Sequence, residues 1–295
     1  YTFKNLTLSS VGGVTYGRVM EITNGAKYNE FLNCVLEGTV STSTSANYAV
    51  VYMYGGNNEF NTFRNNVILN GTYPLYFYGA SANLQEGNIV ENNIMTNYYY
   101  YGPYLYYQKN LQFNSNYVEN GSGTSVYGVR FYYSDNMTVT KNTINIHGTS
   151  THYGMYVYYC DGSVANPNQV ANNMISLTGT GTSTWYGVYM YGSTHTNFYH
   201  NSVHLLAGST TSRALYQSSG GNLKIVNNIF SNAGGGYALY ASTPAAFVTS
   251  DYNNFYTSGS SLAYWSGVKS NLAALQSASS KDANSVSISS PFVSS

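Results

Sequence analysis

Residues 137–146, Met137-Thr-Val-Thr-Lys-Asn-Thr-Ile-Asn-Ile, carry the pattern that decides the fold. Two short runs of alternating apolar and polar side chains flank Asn142, as expected for two strands joined by a tight bend. The pattern recurs in Phe63-Arg-Asn-Asn-Val-Ile, Val90-Glu-Asn-Asn-Ile-Met and Phe198-Tyr-His-Asn-Ser-Val. The step between repeats varies from about 23 to 32 residues, which indicates a repeated coil with loops of variable length.

The bend residue forms one aligned column that runs through most of the chain. A side-chain amide inside such a bend can pair with the coil above and the coil below, and it can satisfy backbone groups that would otherwise be buried without partners. The sequence therefore predicts a stacked ladder, in which a cysteine replaces asparagine at the first position: Cys34, Asn66, Asn93, Asn116, Asn142, Asn173, Asn201, Asn228 and Asn254.

A third strand precedes each bend, as in Tyr153-Gly-Met-Tyr-Val-Tyr-Tyr. Three short strands in each repeat predict an all-β, three-stranded parallel β-helix of about nine coils, right-handed because parallel crossovers have that preference. We expect residues 1–268 to form this solenoid and residues 269–295 to form a C-terminal cap. Within this segment, Ser270 would be the N-cap residue of a short helix, and Val286 to Val293 would form a final extended segment.

Tyrosine, which occurs 34 times, dominates the outward side of this third strand. Side chains alternate along a strand, and neighbouring coils lie about 4.8 Å apart, so outward tyrosines should form ladders with rings in contact. Three outward columns are predicted, with Arg130 and Arg213 among them. Their tyrosines are Tyr52, Tyr54, Tyr73, Tyr76, Tyr78, Tyr101, Tyr104, Tyr106, Tyr127, Tyr132, Tyr153, Tyr156, Tyr158, Tyr186, Tyr189, Tyr191, Tyr216, Tyr237 and Tyr240.

Two interpretations of these columns remain open. Tyrosine is a good strand residue, and its same-face pairs each add roughly 0.2–1 kcal/mol, so the ladders could simply stabilise a structural spacer. Tyrosine also provides rigid contact area and a hydroxyl group at little entropy cost, as recognition surfaces require. In that case the columns form a contact surface for glycans or for neighbouring copies of the chain.

The Asn-Asn-x-Ile coils resemble those of pectate-lyase-like β-helix proteins. The opening, Phe3-Lys-Asn-Leu-Thr-Leu, and the end, Ser250-Asp-Tyr-Asn-Asn-Phe-Tyr followed by Leu272-Ala-Ala-Leu-Gln, are similar to β-helix modules of large surface proteins of Bacteroidota. This resemblance implies export by the type IX pathway, a place outside the cell or on its surface, and a role as an adhesin or fibre subunit.

An enzymatic alternative rests on two of the four aspartates. Asp135 and Asp161 occupy one column of successive coils, so they should lie one coil step apart at the end of the tyrosine strand. Paired carboxylates serve glycoside hydrolysis, because a nearby like charge raises the pKa of the group that acts as the acid. Aspartate after a strand is also ordinary turn chemistry. The alternative is a polysaccharide lyase or glycoside hydrolase centred on this pair.

Composition disfavours several other classes of function. Only 7% of residues are charged and the net charge is zero, so a nucleic-acid-binding face is not expected. No apolar run is long enough to insert into a membrane. His195, His200 and His204 should lie on different parts of a coil, and no cofactor or metal site is predicted. Cys34 and Cys160 should be on the order of 20 Å apart along the solenoid, too far for a disulfide.

These observations favour a non-catalytic, extracellular structural or adhesive module that uses its tyrosine ladders for contacts. The expected partners are polysaccharide or further copies of the chain, joined end to end or side by side.

Overall fold

The computed structural model describes residues 1–10, 15–120 and 126–290. Through these ranges the chain winds around three parallel sheets, and each coil adds one strand to each sheet. Sheet A holds the strands that precede the asparagine bend. They are Thr2–Lys4, Glu30–Leu32, Thr62–Arg64, Ile89–Glu91, Gln112–Asn114, Thr138–Thr140, Asn168–Ala171, Thr194–Tyr199, Gly221–Val226 and Phe247–Asp251.

Sheet B holds the strands that follow the bend. They are Thr7–Ser9, Val35–Glu37, Val67–Leu69, Ile94–Thr96, Tyr117–Asn120, Thr143–Gly148, Met174–Gly179, Ser202–Leu205, Ile229–Asn232 and Asn254–Thr257.

Sheet C holds the tyrosine-rich strands and ends in an antiparallel hairpin. A separate two-stranded parallel sheet joins Gln85–Glu86 to Gln108–Lys109. The strands of sheet C are Met20–Ile22, Val51–Tyr54, Leu75–Tyr78, Tyr104–Tyr106, Val126–Tyr132, His152–Tyr158, Tyr186–Tyr191, Arg213–Gln217, Tyr237–Ala241, Ala263–Trp265 and Val268–Lys269.

Ten successive strands in sheets A and B correspond to about nine coil steps within the described residues. The predicted parallel β-helix with a short C-terminal helix is confirmed. Two 3₁₀ helices, Ala46–Tyr48 and Pro244–Ala246, lie in its loops.

Apolar columns fill the interior of the solenoid. In sheet A the rings of Phe3, Phe31 and Phe63 stack coil on coil, with centroids 5.1 Å and 4.9 Å apart. Phe230 and Phe255 continue the same kind of stacking in sheet B at 5.7 Å. Period-2 strands place these side chains inward and their polar neighbours outward, so one continuous core runs along the axis.

The asparagine bend combines a left-handed backbone residue with a buried amide. At Asn172–Asn173, for example, Asn172 has φ +57° and Asn173 is fully buried. The amide of Asn142 donates to Asn173 Oδ1 at 2.9 Å and to the carbonyl of Phe113 at 2.8 Å, and Asn142 Oδ1 accepts from the backbone of Asn116 at 2.9 Å. These bonds join three successive coils in one chain of amides.

The prediction is wrong for the last residue of the ladder. Asn253, not Asn254, accepts the backbone N–H of Asn228 at 3.0 Å. Asn254 pairs in register with Ile229 on sheet B, one position further along the chain. The error arose because Asn253 and Asn254 are adjacent, and the left-handed position before the buried amide is held here by Tyr252 rather than by an asparagine.

The C-terminal end of the solenoid is covered by the helix Leu272–Ser279. Its N-cap is Asn271, whose side chain accepts from Ala274 N at 2.9 Å, so the expected capping role of Ser270 is wrong. Leu275 is fully buried against the last coil. Strand Val268–Lys269 spans the predicted boundary between solenoid and cap, and residues 291–293 of the predicted final segment lie outside the described part.

No helix in residues 1–10, 15–120 or 126–290 combines the length and the apolarity that a bilayer crossing requires.

Candidate functional site: the tyrosine face

The tyrosine face is the outward side of sheet C, and it contains the three tyrosine columns expected from the sequence. Within Val126–Tyr132 and His152–Tyr158, the alternation of buried and outward side chains is interrupted where two successive residues are buried, Gly128 with Val129 and Gly154 with Met155. The register between the strands is the same on both sides of this interruption, with Tyr127 beside Tyr153 and Tyr132 beside Tyr158. The interruption therefore allows a column to stand outward on each side of it.

Rings of neighbouring coils are in contact along all three columns. Tyr127 and Tyr153 stack at 4.4 Å with planes 5° apart, and Tyr132 and Tyr158 stack at 4.2 Å and 9°. Tyr156 and Tyr189 stack at 4.8 Å and 3°. Because parallel rings turn their faces toward each other along the axis, the solvent side of these stacks presents ring edges and hydroxyl groups.

At other steps of the columns the rings pack edge to face. Tyr101 meets Tyr127 edge to face at 4.4 Å, and Tyr78 meets Tyr106 in the same way at 4.6 Å. Tyr73 is buried, with 6% of its surface exposed, so it supports the face rather than forming its outer layer.

Crowding keeps the phenol groups protonated. Burial raises the pKa of Tyr127 and Tyr153 to about 12, and neighbouring tyrosines add to the shift. The pKa of Tyr104, of Tyr132 and of Tyr189 is likewise raised to about 12, chiefly by burial. The face is therefore a row of neutral hydroxyl groups over the physiological pH range, able to donate and accept hydrogen bonds.

A fourth column of tyrosines was not predicted. Tyr107, Tyr133 and Tyr159 follow the third column at the bend that ends each strand, with φ between +46° and +57°. Their rings continue the stacking, with centroids 5.4 Å apart at both steps. The signal in the sequence is the Tyr-Tyr dipeptide at each site, but the left-handed backbone that turns the second ring outward is rare for bulky residues.

Two arginines lie within the face. The Arg130 guanidinium lies 4.8–5.2 Å from the ring centroids of Tyr101, Tyr104, Tyr127, Tyr132 and Tyr156. Arg213 lies 4.2–5.4 Å from three rings and donates to the hydroxyl of Tyr186 at 3.2 Å. Cation–π contacts of this kind hold the charge at the surface of the ladder.

Asp135 and Asp161 lie in adjacent coils beyond the bend, as expected. Asp135 Oδ1 accepts the backbone N–H of Asp161 at 3.0 Å, and Asp161 Oδ1 accepts the hydroxyl of Thr194 at 2.8 Å. Burial raises the pKa of Asp135, and the Asp161 charge adds to this effect while the backbone hydrogen bond and Lys109 oppose it. The pair therefore has the contacts of turn residues that link successive coils.

A shallow depression of about 160 Å³ lies nearby, but neither aspartate lines it. Its walls include Val164, Pro167, His195, Asn222 and Lys224.

The remaining candidate residues lie apart from one another. His195 lies in the sheet A strand Thr194–Tyr199 with φ +49°, His200 is in the asparagine bend, and His204 is on sheet B. Cys34 and Cys160 are buried free thiols. Cys34 takes the first ladder position, where its N–H donates to Asn66 Oδ1, whereas Cys160 lies just beyond a strand of sheet C.

A second amide ladder, between sheets C and A, was also missed by the sequence reasoning. Asn61 Oδ1 accepts the backbone N–H of Asn29 at 3.1 Å, and Asn88 Oδ1 accepts that of Asn61 at 3.0 Å. Leu111 and Met137 interrupt the column before Asn168 resumes it, so no unbroken asparagine pattern marks it in the sequence.

Comparison with known proteins gives one family match and one structural similarity. The sequence profile of the family described as "Periplasmic copper-binding protein (NosD)" matches residues 5–203, more than half of the chain. No curated protein matches the sequence. Among solved structures, the chain is similar to the A-module of the mannuronan C-5 epimerase of Azotobacter vinelandii. That similarity has a TM-score of 0.41 and 11% sequence identity, and it covers 87% of this chain and 78% of that chain.

Proposed function

Because the chain belongs to the NosD family, which is described as periplasmic, we propose that it acts outside the cytoplasm as a non-catalytic contact module. In this proposal the tyrosine face binds polysaccharide. The observation that carries it is the set of stacked tyrosine columns on one side of one sheet, such as Tyr127 on Tyr153 and Tyr132 on Tyr158.

The geometry of the stacks supports hydrogen bonding as the mode of contact. Where rings lie face to face, their edges and hydroxyl groups form the outer layer, one row for each column. Polysaccharides present regularly spaced hydroxyl groups, which pair well with a regular row of donors and acceptors. The stacked rings are already ordered in the free protein, so binding orders few side chains and little affinity is lost to entropy.

Copper is not part of this proposal. The family description names copper, so the fit of the residues to a copper ion was tested. Copper sites in proteins use several converging histidine, cysteine or methionine ligands. Across the described ranges, no group of three or more His, Cys, Asp or Glu side chains could hold a metal ion. The histidine, cysteine and carboxylate donors therefore do not form a copper site, and no step is assigned to copper.

The enzymatic alternative centred on Asp135 and Asp161 has weaker support. Each carboxylate has an oxygen committed to a bond between coils, to Asp161 N and to the Thr194 hydroxyl. The nearby depression is lined by other residues.

We further propose a setting at the cell surface, as part of an adhesin or fibre. The support is the likeness of the opening and the end of the sequence to surface modules of Bacteroidota that the type IX pathway exports. Contact with neighbouring copies of the chain through the same face is compatible with this setting.

The test is binding of the purified chain to a panel of neutral and charged polysaccharides by affinity electrophoresis. A variant with Tyr156→Ser, Tyr158→Ser and Tyr189→Ser should bind at least about tenfold more weakly, because central aromatic residues carry most of the energy of such surfaces. The matched control changes three exposed tyrosines away from the face, Tyr1, Tyr28 and Tyr252, to serine.

Equal binding by both triple variants would refute a contact role for the face. The Asp135→Asn variant, assayed for release of reducing or unsaturated ends from the same panel, separates the enzymatic alternative. Wild-type cleavage that this variant abolishes would replace the binding proposal.

A further inference from the structure

The two arginines of the tyrosine face have no acidic partner, and this distinguishes them from the other arginines of the chain. Arg18 pairs with Glu21 at 2.9 Å, and Arg64 pairs with Glu91 at 2.8 Å. Within residues 1–10, 15–120 and 126–290, no carboxylate lies within ion-pair distance of Arg130 or Arg213. Their positive charges are therefore uncompensated at short range.

Both arginines are partly buried. The Nε atoms of Arg130 and Arg213 are buried and have no hydrogen-bond partner among the described residues. Arg130 is flanked by five aromatic rings, and among the described residues it forms no hydrogen bond. A charge held against aromatic rings with unused N–H groups attracts an anion more strongly than a fully solvated charge does.

The face around them carries no opposing charge. From Tyr73 to Ser242, the three outward columns contain no aspartate or glutamate. Asp135 and Asp161 lie beyond the bend, and each has an oxygen engaged in a bond between coils. The electrostatic character of this part of the sheet is thus set by two cations among neutral phenols.

The two charges are spaced along the solenoid axis. Arg130 is beside Tyr156 and Arg213 is beside Tyr186, while Tyr153 and Tyr186 are themselves neighbours, so three coil steps separate the two arginines. At about 4.8 Å for each step, the separation is roughly 14 Å. A polymer with charges at regular intervals can reach both arginines at once while its hydroxyl groups contact the tyrosines between them.

We propose that the ligand of the tyrosine face is an anionic polysaccharide whose carboxylate or sulfate groups bind Arg130 and Arg213. This inference rests on the proposed function, because it names the ligand class for the same face. Guanidinium groups suit both anions, since their planar N–H fork pairs with two oxygens.

Single-stranded nucleic acid is the competing anionic polymer. It binds chiefly by stacking its bases on open aromatic faces. On this face the parallel stacks of Tyr127 on Tyr153 and of Tyr156 on Tyr189 leave few open ring faces. The structure therefore favours a ligand that is recognised through hydroxyl groups and charge.

The experiment compares three polymers with the same backbone: dextran, carboxymethyl-dextran and dextran sulfate. The purified chain should bind both charged polymers about tenfold or more tightly than neutral dextran. Arg130→Gln and Arg213→Gln should each weaken binding to the charged polymers by roughly tenfold and leave dextran binding unchanged. Arg64→Gln, which removes one positive charge from another sheet, is the matched control and should have no effect.

Thermal unfolding of each variant checks that the fold persists, and Arg213→Gln keeps the test decisive if Arg130→Gln fails to fold. Tyrosine-dependent binding without any charge preference would overturn the anion inference and leave the proposed function standing. Binding to none of these three polymers would overturn the anion inference, and the polysaccharide panel would then decide the proposed function. Equal losses for Arg64→Gln and Arg130→Gln, or tighter binding to single-stranded DNA, would also overturn the inference.

Discussion

At the scale of single residues, asparagine and tyrosine make the contacts that repeat from coil to coil. Asparagine suits the bend because it tolerates the left-handed backbone at the first position, where Asn172 has φ +57°, and supplies a buried amide at the second. Tyrosine suits sheet C because its ring fills the distance between coils and its hydroxyl reaches solvent. Both roles repeat at each coil, so small contributions accumulate along the axis.

The raised tyrosine pKa values predict a loss of stability at alkaline pH. Tyr127 and Tyr153 titrate near pH 12 in the fold but near pH 10 when unfolded, so the fold retains protons that the unfolded chain releases. Stability should be unaffected below pH 10 and should fall as the pH rises toward 12, lowering Tm by roughly 5–10 °C. Thermal unfolding at successive pH values, with tyrosinate absorbance as a second probe, measures this.

Tyr153→Phe keeps the ring and removes one phenol, so it should reduce the alkaline loss slightly. Tyr252→Phe, at an exposed site off the face, should not. A Tm that stays constant from pH 10 to pH 12 would contradict the prediction.

At the scale of elements, the packing of successive strands in sheet C depends on glycine. A Cβ atom on Gly154 would meet Ile175 Cγ2 and would lie 2.6 Å from the carbonyl oxygen of Gly187 in the next coil. The glycine therefore allows backbone to pack against backbone between coils, and the recurring Tyr-Gly-Val and Tyr-Gly-Met segments reflect this close approach.

Gly154→Ala should lower the free energy of unfolding by about 1–3 kcal/mol, because the added methyl group overpacks the interior. Gly221 in sheet A is the matched control, since a Cβ there would meet nothing within 4 Å, and Gly221→Ala should be close to neutral. Chemical denaturation of both variants gives the comparison. Similar stabilities for the two would show that the coils can move apart at no cost.

At the scale of the whole molecule, the two ends of the described solenoid differ. At the N-terminal end the first strand, Thr2–Lys4, is exposed throughout, and Phe3 and Leu6 remain 39% and 41% exposed. At the other end the helix Leu272–Ser279 covers the last coil, and the carboxylate of Asp282 accepts hydrogen bonds from Ser250 and Ser285. A solenoid is stabilised by nearest-neighbour contacts, so each end affects mainly the coils beside it.

Leu275→Asp should therefore loosen the last coil and leave the middle intact, because it buries a charge between the helix and the solenoid. Hydrogen exchange should show lost protection in residues 247–269 and little change in residues 126–205. Ser277→Asp, on the exposed side of the same helix, is the control. Uniform loss of protection along the chain would instead indicate that the solenoid unfolds as one unit.

Much of this architecture can be predicted from local sequence patterns. Alternation around Asn142 defines two strands and a bend, and its recurrence defines the coil. Two of the outward tyrosine columns follow from strand alternation alone, and the stacking of Asp135 on Asp161 follows from the repeat. The column of Tyr127 and Tyr153 is outward only because two successive residues of each strand are buried. These features are local or repeat in phase, so they need no knowledge of how distant parts of the chain approach one another.

Other features depend on how coils of unequal length align in three dimensions. The ladder residue Asn253, the interrupted column of Asn61, Asn88 and Asn168, and the fourth tyrosine column all depend on backbone torsions at bends that no single pattern marks. The rings around Arg130 come from three different coils. The sequence determined the coil and the chemistry of each face, because strand period and bend residues act locally. Only the tertiary structure decided which side chains meet, and that Arg130 and Arg213 lack acidic partners within the described part of the chain, because the loops between the strands set the register of each coil on the next.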